Sequence, residues 1–147
     1  MTTAAQNLKR LPSSKRLTGH VFKHDLLTLF ANHHVNYKRV AEIADLSKSD
    51  LGKLGKVAKS SVRFDDKMPQ SVADRLREIG NIANLVAEYF NGDVQKVELW
   101  FRLPNPMLGN ISPRDMIRLG RYERLLNFVL DAHQSEQSAM ESNSGAA

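Results

Sequence analysis

The sequence predicts an all-α protein with two helical units, over residues 21–66 and 67–133. Apolar residues recur at helical spacing in several segments, and recognisable helix starts and stops separate those segments. No convincing strand pattern or internal repeat appears in the sequence. With 147 residues, of which 41% are hydrophobic, the chain is long enough to bury a core.

Short helices are expected in the first unit. Residues 1–20 are polar and basic, with a Pro-Ser-Ser interruption, and are expected to form a flexible arm. The segments HDLLTLF, residues 24–30, and YKRVAEIAD, residues 37–45, each have an amphipathic helical pattern. Ser47 is a candidate N-cap, and Asp50 three positions later would complete an acidic form of the capping box.

The longest helix is predicted over residues 69–90, where six apolar side chains repeat at helical spacing. Gly80 is expected to interrupt this helix, at a cost of about 1 kcal/mol relative to alanine. The Asn-Gly pair that follows is a typical helix stop. Asp93 is a candidate cap for the next helix, residues 94–102, which a following proline would end.

The C-terminal helices begin at a strong start pattern, SPRD, residues 112–115. Serine is the N-cap, proline stands at the first helical position, and the acid faces the positive end of the helix dipole. A break is predicted at Gly120, followed by an apolar stripe over residues 122–130. Residues 134–147 form a polar tail that their composition predicts to be disordered.

The charge of the chain is basic and uneven. The formal net charge is +5 at pH 7. Residues 36–63 hold seven basic side chains against three acidic ones. This excess favours a polyanion partner, although a simply solvated basic surface explains it equally well.

Several classes of protein are disfavoured by the composition. The chain has no cysteine, which excludes disulfides and thiol catalysis and fits a reducing compartment. No apolar run approaches the roughly 20 residues that a membrane span needs. The basic N-terminus also lacks the apolar run of a signal peptide. We therefore expect a cytoplasmic protein without membrane association.

No catalytic or metal site is predicted. The histidine pairs at positions 20 and 24 and at positions 33 and 34 lack cysteine or an acid at ligand spacing. Asp65 and Asp66 stand beside Lys67, which indicates a solvated turn rather than acid–base chemistry. The sequence has no Gly-rich phosphate loop and no convincing Ser-His-Asp spacing, so neither an enzymatic activity nor a cofactor is expected.

Residues 46–64, LSKSDLGKLGKVAKSSVRF, have the pattern of a helix-turn-helix that reads DNA. Leu51 and Leu54 would face the core from the first helix, and Val62 would anchor the second from behind. Arginine and serine can read base edges, while lysine and serine can hold phosphates. The predicted DNA-binding residues are Lys48, Lys56, Lys59, Ser60, Ser61 and Arg63.

This segment resembles the Xre family of helix-turn-helix regulators, whose usual pattern is LAxxxGVSxxTV. Two positions depart from it. Gly52 stands where a small alanine is usual, and Lys56 stands where the turn glycine is usual, so Gly55 would supply the turn one residue early. The alternative is a three-helix platform that keeps the fold but does not contact DNA.

A loop with three prolines, WFRLPNPMLGNISPRDM, spans residues 100–116. At least one member of the Trp100–Phe101 pair should be in the core. Asn105 between two prolines should cap the loop with its side chain, and Gly109 should adopt positive φ. The loop is either a packed connector or a partner-binding surface whose prolines lower the ordering cost of binding.

Residues 72–132 closely resemble the toxin-binding domain of the Xre/MbcA/ParS antitoxins. The markers are a Phe-Asn-Gly-Asp helix boundary, a Trp-Phe pair, and the string Pro-Asn-Pro, Leu-Gly and Ser-Pro, followed by an amphipathic helix after a glycine. The resemblance implies a homodimer that binds a RES-domain toxin, an ADP-ribosyltransferase-like protein that acts on NAD, and blocks its NAD pocket. Many members of the family also bind their own operator DNA.

The C-terminal helices carry several arginines, which suit a partner with carboxylates or phosphates. The alternative is that they pair with Asp115 and Glu123. Arg121, Tyr122 and Arg124 are favoured as toxin contacts because they begin the terminal helix. With the resemblance, the predicted toxin-binding residues are Trp100, Arg102, Asn105, Pro106, Leu108, Gly109, Arg121, Tyr122 and Arg124.

Two other functions fit the same residues. One is a stand-alone dimeric repressor without a toxin partner, and an adjacent gene for a RES-domain toxin would argue against it. The other is an adaptor that binds protein only, and operator binding that weakens steeply with salt would argue against that.

The triple substitution Lys59→Ala, Ser61→Ala, Arg63→Ala is expected to abolish operator binding and to leave toxin binding intact, because these side chains lie in the predicted DNA-reading segment. An electrophoretic mobility shift with operator DNA measures the first effect, and a pull-down measures the second. A normal shift by the triple variant would show that the recognition segment lies elsewhere.

Overall fold

The computed structural model describes residues 25–31 and 34–144, and all regular elements in these ranges are helical. Only one isolated bridge, between Asn105 and Ile111, forms there in place of a strand, so the all-α prediction is confirmed. The helices are α1 Tyr37–Ala44, α2 Lys48–Gly55, α3 Gln70–Tyr89, α4 Val94–Arg102, α5 Pro113–Arg118 and α6 Tyr122–Ser144. Single 3₁₀ turns form at Lys59–Ser61 and Pro106–Leu108.

The central element is α3, which packs against α1, α2, α4 and α6. Every residue from Glu78 to Ala87 is buried, so this part of the helix is covered on all sides. The side chains around it form one hydrophobic core, to which residues on both sides of the predicted boundary at 66/67 contribute. The two predicted units therefore share their interior in the part of the chain that the structure describes.

Gly80 does not interrupt α3, which corrects the sequence prediction. The helix runs continuously from Gln70 to Tyr89. A Cβ atom at Gly80 would lie 3.2 Å from both the Phe30 ring and the Val40 side chain. Glycine is therefore present because the segment 25–31 and α1 approach the helix closely, and not because the helix bends.

The predicted helix ends are confirmed where the sequence marks them locally. Ser47 and Asp50 form the expected capping box at the start of α2. The Asp93 carboxylate accepts hydrogen bonds from the first turn of α4, and the Ser112 hydroxyl accepts one from Asp115 N–H in α5. Gly120 has φ +75° and separates α5 from α6 as predicted. Each of these ends depends on side chains within three residues, which a sequence pattern can identify.

Residues 25–30 form a turn and not the predicted amphipathic helix. The Asp25 carboxylate accepts hydrogen bonds of 2.8 Å from the backbone N–H of Leu29 and of Phe30, which fixes the turn. Asn84 on α3 donates to the same carboxylate at 3.0 Å and accepts from Leu27 N–H at 3.2 Å. The apolar spacing correctly predicted that this segment contributes to the core, since Leu27 and Leu29 are buried. It predicted the wrong secondary structure. The predicted arm, residues 1–20, lies outside the described residues.

The terminal helix α6 runs parallel to α3. The Arg75 guanidinium lies 4.1 Å from the centre of the Tyr122 ring, and further along the pair His133 Nδ1 lies 3.2 Å from Glu88 Oε2. The helix continues past residue 133, where the sequence predicted a disordered tail, and ends at Ser144. No helix in the described ranges is long and apolar enough to cross a membrane.

Gly55→Ala is expected to lower the free energy of unfolding by about 1–2 kcal/mol, because overpacking costs about 1–3 kcal/mol and the gain in helix propensity offsets only part of it. The added Cβ would lie 2.6 Å from Val72 Cγ2 and 3.2 Å from the backbone nitrogen of Val72. Urea denaturation measures the difference. Lys53→Ala, at an exposed site of the same helix, is the control and should change stability by less than about 0.5 kcal/mol. A Gly55→Ala variant as stable as the parent would show that α3 can shift to make room for the added methyl group without a loss of stability.

Candidate functional site

The second helix of the predicted helix-turn-helix does not form. Lys59–Ser61 is a single 3₁₀ turn, and Val62 after it is extended and buried. Asp65 ends the segment with a tight turn, because its carboxylate accepts from the Arg63 side chain at 3.0 Å and from Lys67 N–H at 2.9 Å. Serine side chains favour turns and caps over helix interiors, which explains why the spacing alone predicted the wrong element.

The turn after α2 is made by Lys56, which has φ +56°. The prediction that Gly55 supplies this turn is therefore wrong. Gly55 serves packing instead, since its missing side chain makes room for Val72, and its carbonyl oxygen accepts a hydrogen bond of 2.8 Å from the Ser71 hydroxyl. Gly52 also serves packing, because a Cβ there would lie 2.9 Å from the Val57 carbonyl oxygen.

All six predicted DNA-binding residues are exposed to solvent. Two are already engaged: Lys48 lies 5.9 Å from the centre of the Phe64 ring, and an Arg63 nitrogen lies 2.7 Å from an Asp65 oxygen. Of these six, the side chains of Lys56, Lys59, Ser60 and Ser61 make no hydrogen bond or ion pair within the described ranges. The unpaired cations of this set, Lys56 and Lys59, thus stand at the C-terminal end of α2 and in the turn that follows.

A second exposed feature is an apolar groove on α4 and the proline loop, with a volume of about 420 Å³. Val97 and Phe101, four residues apart, face the core, whereas Leu99 and Leu103 project on another face of α4. Leu99 is 52% exposed and Leu103 is 55% exposed. The groove is lined by Phe90, Lys96, Leu99, Trp100, Leu103, Pro104, Asn105 and Pro106.

The loop that forms one wall of this groove is held by Asn105. Its side-chain oxygen accepts from Met107 N–H at 2.9 Å, and its backbone N–H donates to the Ile111 carbonyl at 3.1 Å. Gly109 has φ +73°, as the sequence predicted. The groove is therefore largely preformed, and the side chain of Asn105 acts as the predicted cap.

Of the other predicted toxin-binding residues, two line the groove and one is buried. Trp100 packs edge-on against the buried Phe101 ring, with 5.1 Å between ring centres, and Pro106 shares the groove with it. Leu108 is only 9% exposed, so it supports the loop from inside and is not accessible to a partner. The exposed Leu99 and Leu103 were missed, although the sequence signals them as apolar residues outside the buried stripe of α4.

Arginines of the C-terminal half pair with acids at the end of α1 and in the first turn of α2. Arg102 Nε lies 3.5 Å from an Asp45 oxygen, and Arg114 hydrogen-bonds to the same oxygen. An Arg118 nitrogen lies 3.3 Å from an Asp50 oxygen. Arg102 thus faces α1 rather than the groove. Pairing with Asp115 also occurs, at 3.2 Å for Arg118, but the partners at positions 45 and 50 leave no local pattern in the sequence.

Arg121, Tyr122 and Arg124 lie apart from the groove. Tyr122 contacts Arg75 near the start of α3, whereas the groove is lined by Phe90 at its end. Fifteen residues of helix, or about 22 Å, separate these two contacts. Arg121 and Arg124 are exposed and form no ion pair within the described ranges. A single small partner surface would therefore not touch both sets, and their role as toxin contacts stays a prediction.

Comparison of the chain with protein-family models, with curated proteins and with solved structures gave no match. The resemblance to the Xre/MbcA/ParS antitoxins therefore rests on the sequence markers given above. Over residues 25–31 and 34–144, no three His, Asp or Glu side chains gather in a way that could hold a metal ion.

Asp50→Ala is expected to lower the free energy of unfolding by about 1 kcal/mol near pH 7, because it removes the capping box of α2. Burial by itself would raise the pKa of the Asp50 carboxyl, but hydrogen bonds from Ser47 and the charge of Arg118 outweigh burial and lower this pKa. A carboxyl with a lowered pKa stabilises the fold above its unfolded pKa of about 3.9 and loses this effect as the pH falls through its folded pKa.

The difference in stability between the parent and Asp50→Ala should therefore shrink as the pH is lowered below about 4. Urea denaturation over a pH series measures it. Asp66→Ala, at an exposed acid in the loop before α3 that caps no helix, is the control. A difference that stays constant down to low pH would mean that the charge of Asp50 contributes nothing.

Proposed function

We propose that this protein is the antitoxin of a type II toxin–antitoxin system. It binds a RES-domain toxin through the apolar groove of α4 and the proline loop, and it blocks the toxin's NAD site sterically. It also represses its own operon by binding operator DNA through the basic end of α2. The observation that carries the proposal is the preformed groove, which leaves large apolar side chains exposed.

The groove suits a protein partner better than a small molecule. Leu99 and Leu103 are both more than half exposed, so they project toward solvent and do not enclose a cavity. Exposed apolar surface of this kind is typical of protein–protein contacts. Trp100 also lines the groove and provides a large aromatic contact, the residue type that most often dominates binding energy at interfaces.

The rigidity of the loop lowers the cost of binding. Asn105 and Gly109 fix the backbone by a side-chain cap and a left-handed turn, and the flanking prolines restrict it further. Side chains that are already in place lose little conformational freedom when a partner covers them. A rigid apolar surface is what a tight, purely steric inhibitor requires.

The identity of the partner comes from the family resemblance. A RES-domain toxin acts on NAD, and a protein that covers the entrance to its pocket prevents NAD from entering. This mechanism requires no acid, base or nucleophile from the antitoxin. The antitoxin contributes only buried area and shape, so no residue of this chain is assigned a catalytic role.

Operator binding is supported by the free cations at the end of α2. Lys56 and Lys59 are exposed and make no ion pair within the described residues. The short turn at Lys59–Ser61 offers fewer positions for reading base edges than a full recognition helix. Phosphate contacts should therefore supply most of the affinity, and binding should weaken steeply with salt.

The test of this function is co-expression with the product of the neighbouring gene, followed by a pull-down and an assay of NAD loss. We expect a stable complex that protects NAD, and NAD loss when the partner acts alone. A complex that leaves NAD loss unchanged, or no complex at all, would overturn the antitoxin proposal and favour the stand-alone repressor.

Leu103→Asp is expected to weaken the complex at least about tenfold, because it places a charge on the apolar lining of the groove. Leu119→Asp is the matched control, since Leu119 is 60% exposed and Leu103 is 55% exposed, but only Leu103 lines the groove. Titration with the purified toxin measures both affinities. Equal affinities for the two variants would place the interface elsewhere.

A further inference from the structure

A charged cleft of about 460 Å³ lies between the C-terminal end of α2 and the first turns of α3. It is separate from the apolar groove, which lies at the other end of α3. One wall comes from the end of α2, with Lys56, and the other comes from α3, with Arg77. Its lining residues are Leu54, Gly55, Lys56, Ser71, Asp74, Arg75, Arg77 and Glu78.

Two of the charged residues in this cleft neutralise each other. An Arg75 nitrogen lies 3.1 Å from a Glu78 oxygen, and the same guanidinium covers the Tyr122 ring. Burial raises the pKa of Glu78, and the neighbouring Arg75 opposes that rise. This pair belongs to the interior contact between α3 and α6, so it does not offer a free charge to a ligand.

The remaining charges face solvent. Lys56 and Arg77 are exposed, and neither side chain has a polar partner within the described ranges. Asp74 is exposed, and its carboxylate accepts a hydrogen bond of 2.8 Å from the Gln70 amide, which does not neutralise it. The mouth of the cleft thus carries two free cations and one free anion.

We infer that Arg77 is a phosphate-contacting residue, and that the backbone of bound DNA crosses the mouth of this cleft between Lys56 and Arg77. The inference rests on the proposed operator binding and extends its surface from α2 onto α3. DNA that contacts Lys56 and Lys59 at the end of α2 lies beside the cleft, and Arg77 is the free cation on its opposite wall.

The chemistry of arginine fits this position. A guanidinium binds a phosphate through two parallel N–H donors, and such contacts position DNA without reading its sequence. Asp74 in the same cleft repels the phosphates. Removing the charge of Arg77 should therefore weaken DNA binding, and removing the charge of Asp74 should strengthen it.

The experiment measures the affinity of the full-length protein for a fluorescently labelled, mixed-sequence DNA duplex over a series of salt concentrations. Arg77→Ala should weaken binding and reduce the slope of log K against log salt by about 0.9, the effect of one phosphate contact. Arg77→Lys should retain most of the slope, because it keeps the charge. Asp74→Asn should strengthen binding.

Lys96→Ala is the matched control, because it removes the same unit of charge at the apolar groove and not at the cleft. Its salt slope should equal that of the parent, and thermal unfolding of each variant checks that the fold is intact. A parent protein without salt-dependent binding would overturn operator binding together with this inference. A parent that binds, beside a folded Arg77→Ala variant with the parent's slope, would overturn the inference alone.

Discussion

The middle of α3 is buried on all its sides, and this burial determines where the other helices must lie. Helices in small proteins normally bury one stripe, whereas ten consecutive residues of α3, Glu78 to Ala87, have no exposed face. Other elements must therefore cover the helix completely. The turn at 25–31 and α1 approach it at Gly80, α2 approaches it at Val72, and α6 lies along it in parallel.

The local signals in the sequence predicted most of the fold. The starts of α2, α4 and α5 were predicted from Ser47, Asp93 and Ser112, because a cap bonds to the backbone only two or three residues away. One element was predicted wrongly because residues distant in the chain determine its conformation. Residues 25–30 have a helical apolar spacing, but Asn84 across the core stabilises a turn there instead. The prediction of a second helix after α2 was wrong for a local reason. The serines at 60 and 61 and Asp65 favour turns, and apolar spacing does not take this preference into account.

The candidate site was predictable in part. The proline loop, its cap at Asn105 and the left-handed Gly109 followed from residue types alone. The exposure of Leu99 and Leu103 was missed, although both lie outside the buried stripe of α4, because an apolar residue is normally assigned to the core. The ion pairs of Arg102 with Asp45 and of Arg118 with Asp50 could not be predicted, since these acids lie more than fifty residues away in the chain.

The charged cleft and the apolar groove lie at opposite ends of α3, so the two proposed partners would occupy separate surfaces of one helix.

The contact of Asn84 with the turn at 25–30 constrains the order in which the chain folds during synthesis. These early residues leave the ribosome well before position 84, since chains emerge from the N-terminus onward. The backbone N–H of Leu27, which is buried in the finished protein, must remain hydrated until more than fifty further residues have been added. The beginning of the described chain thus cannot reach its final contacts until most of α3 has been synthesised.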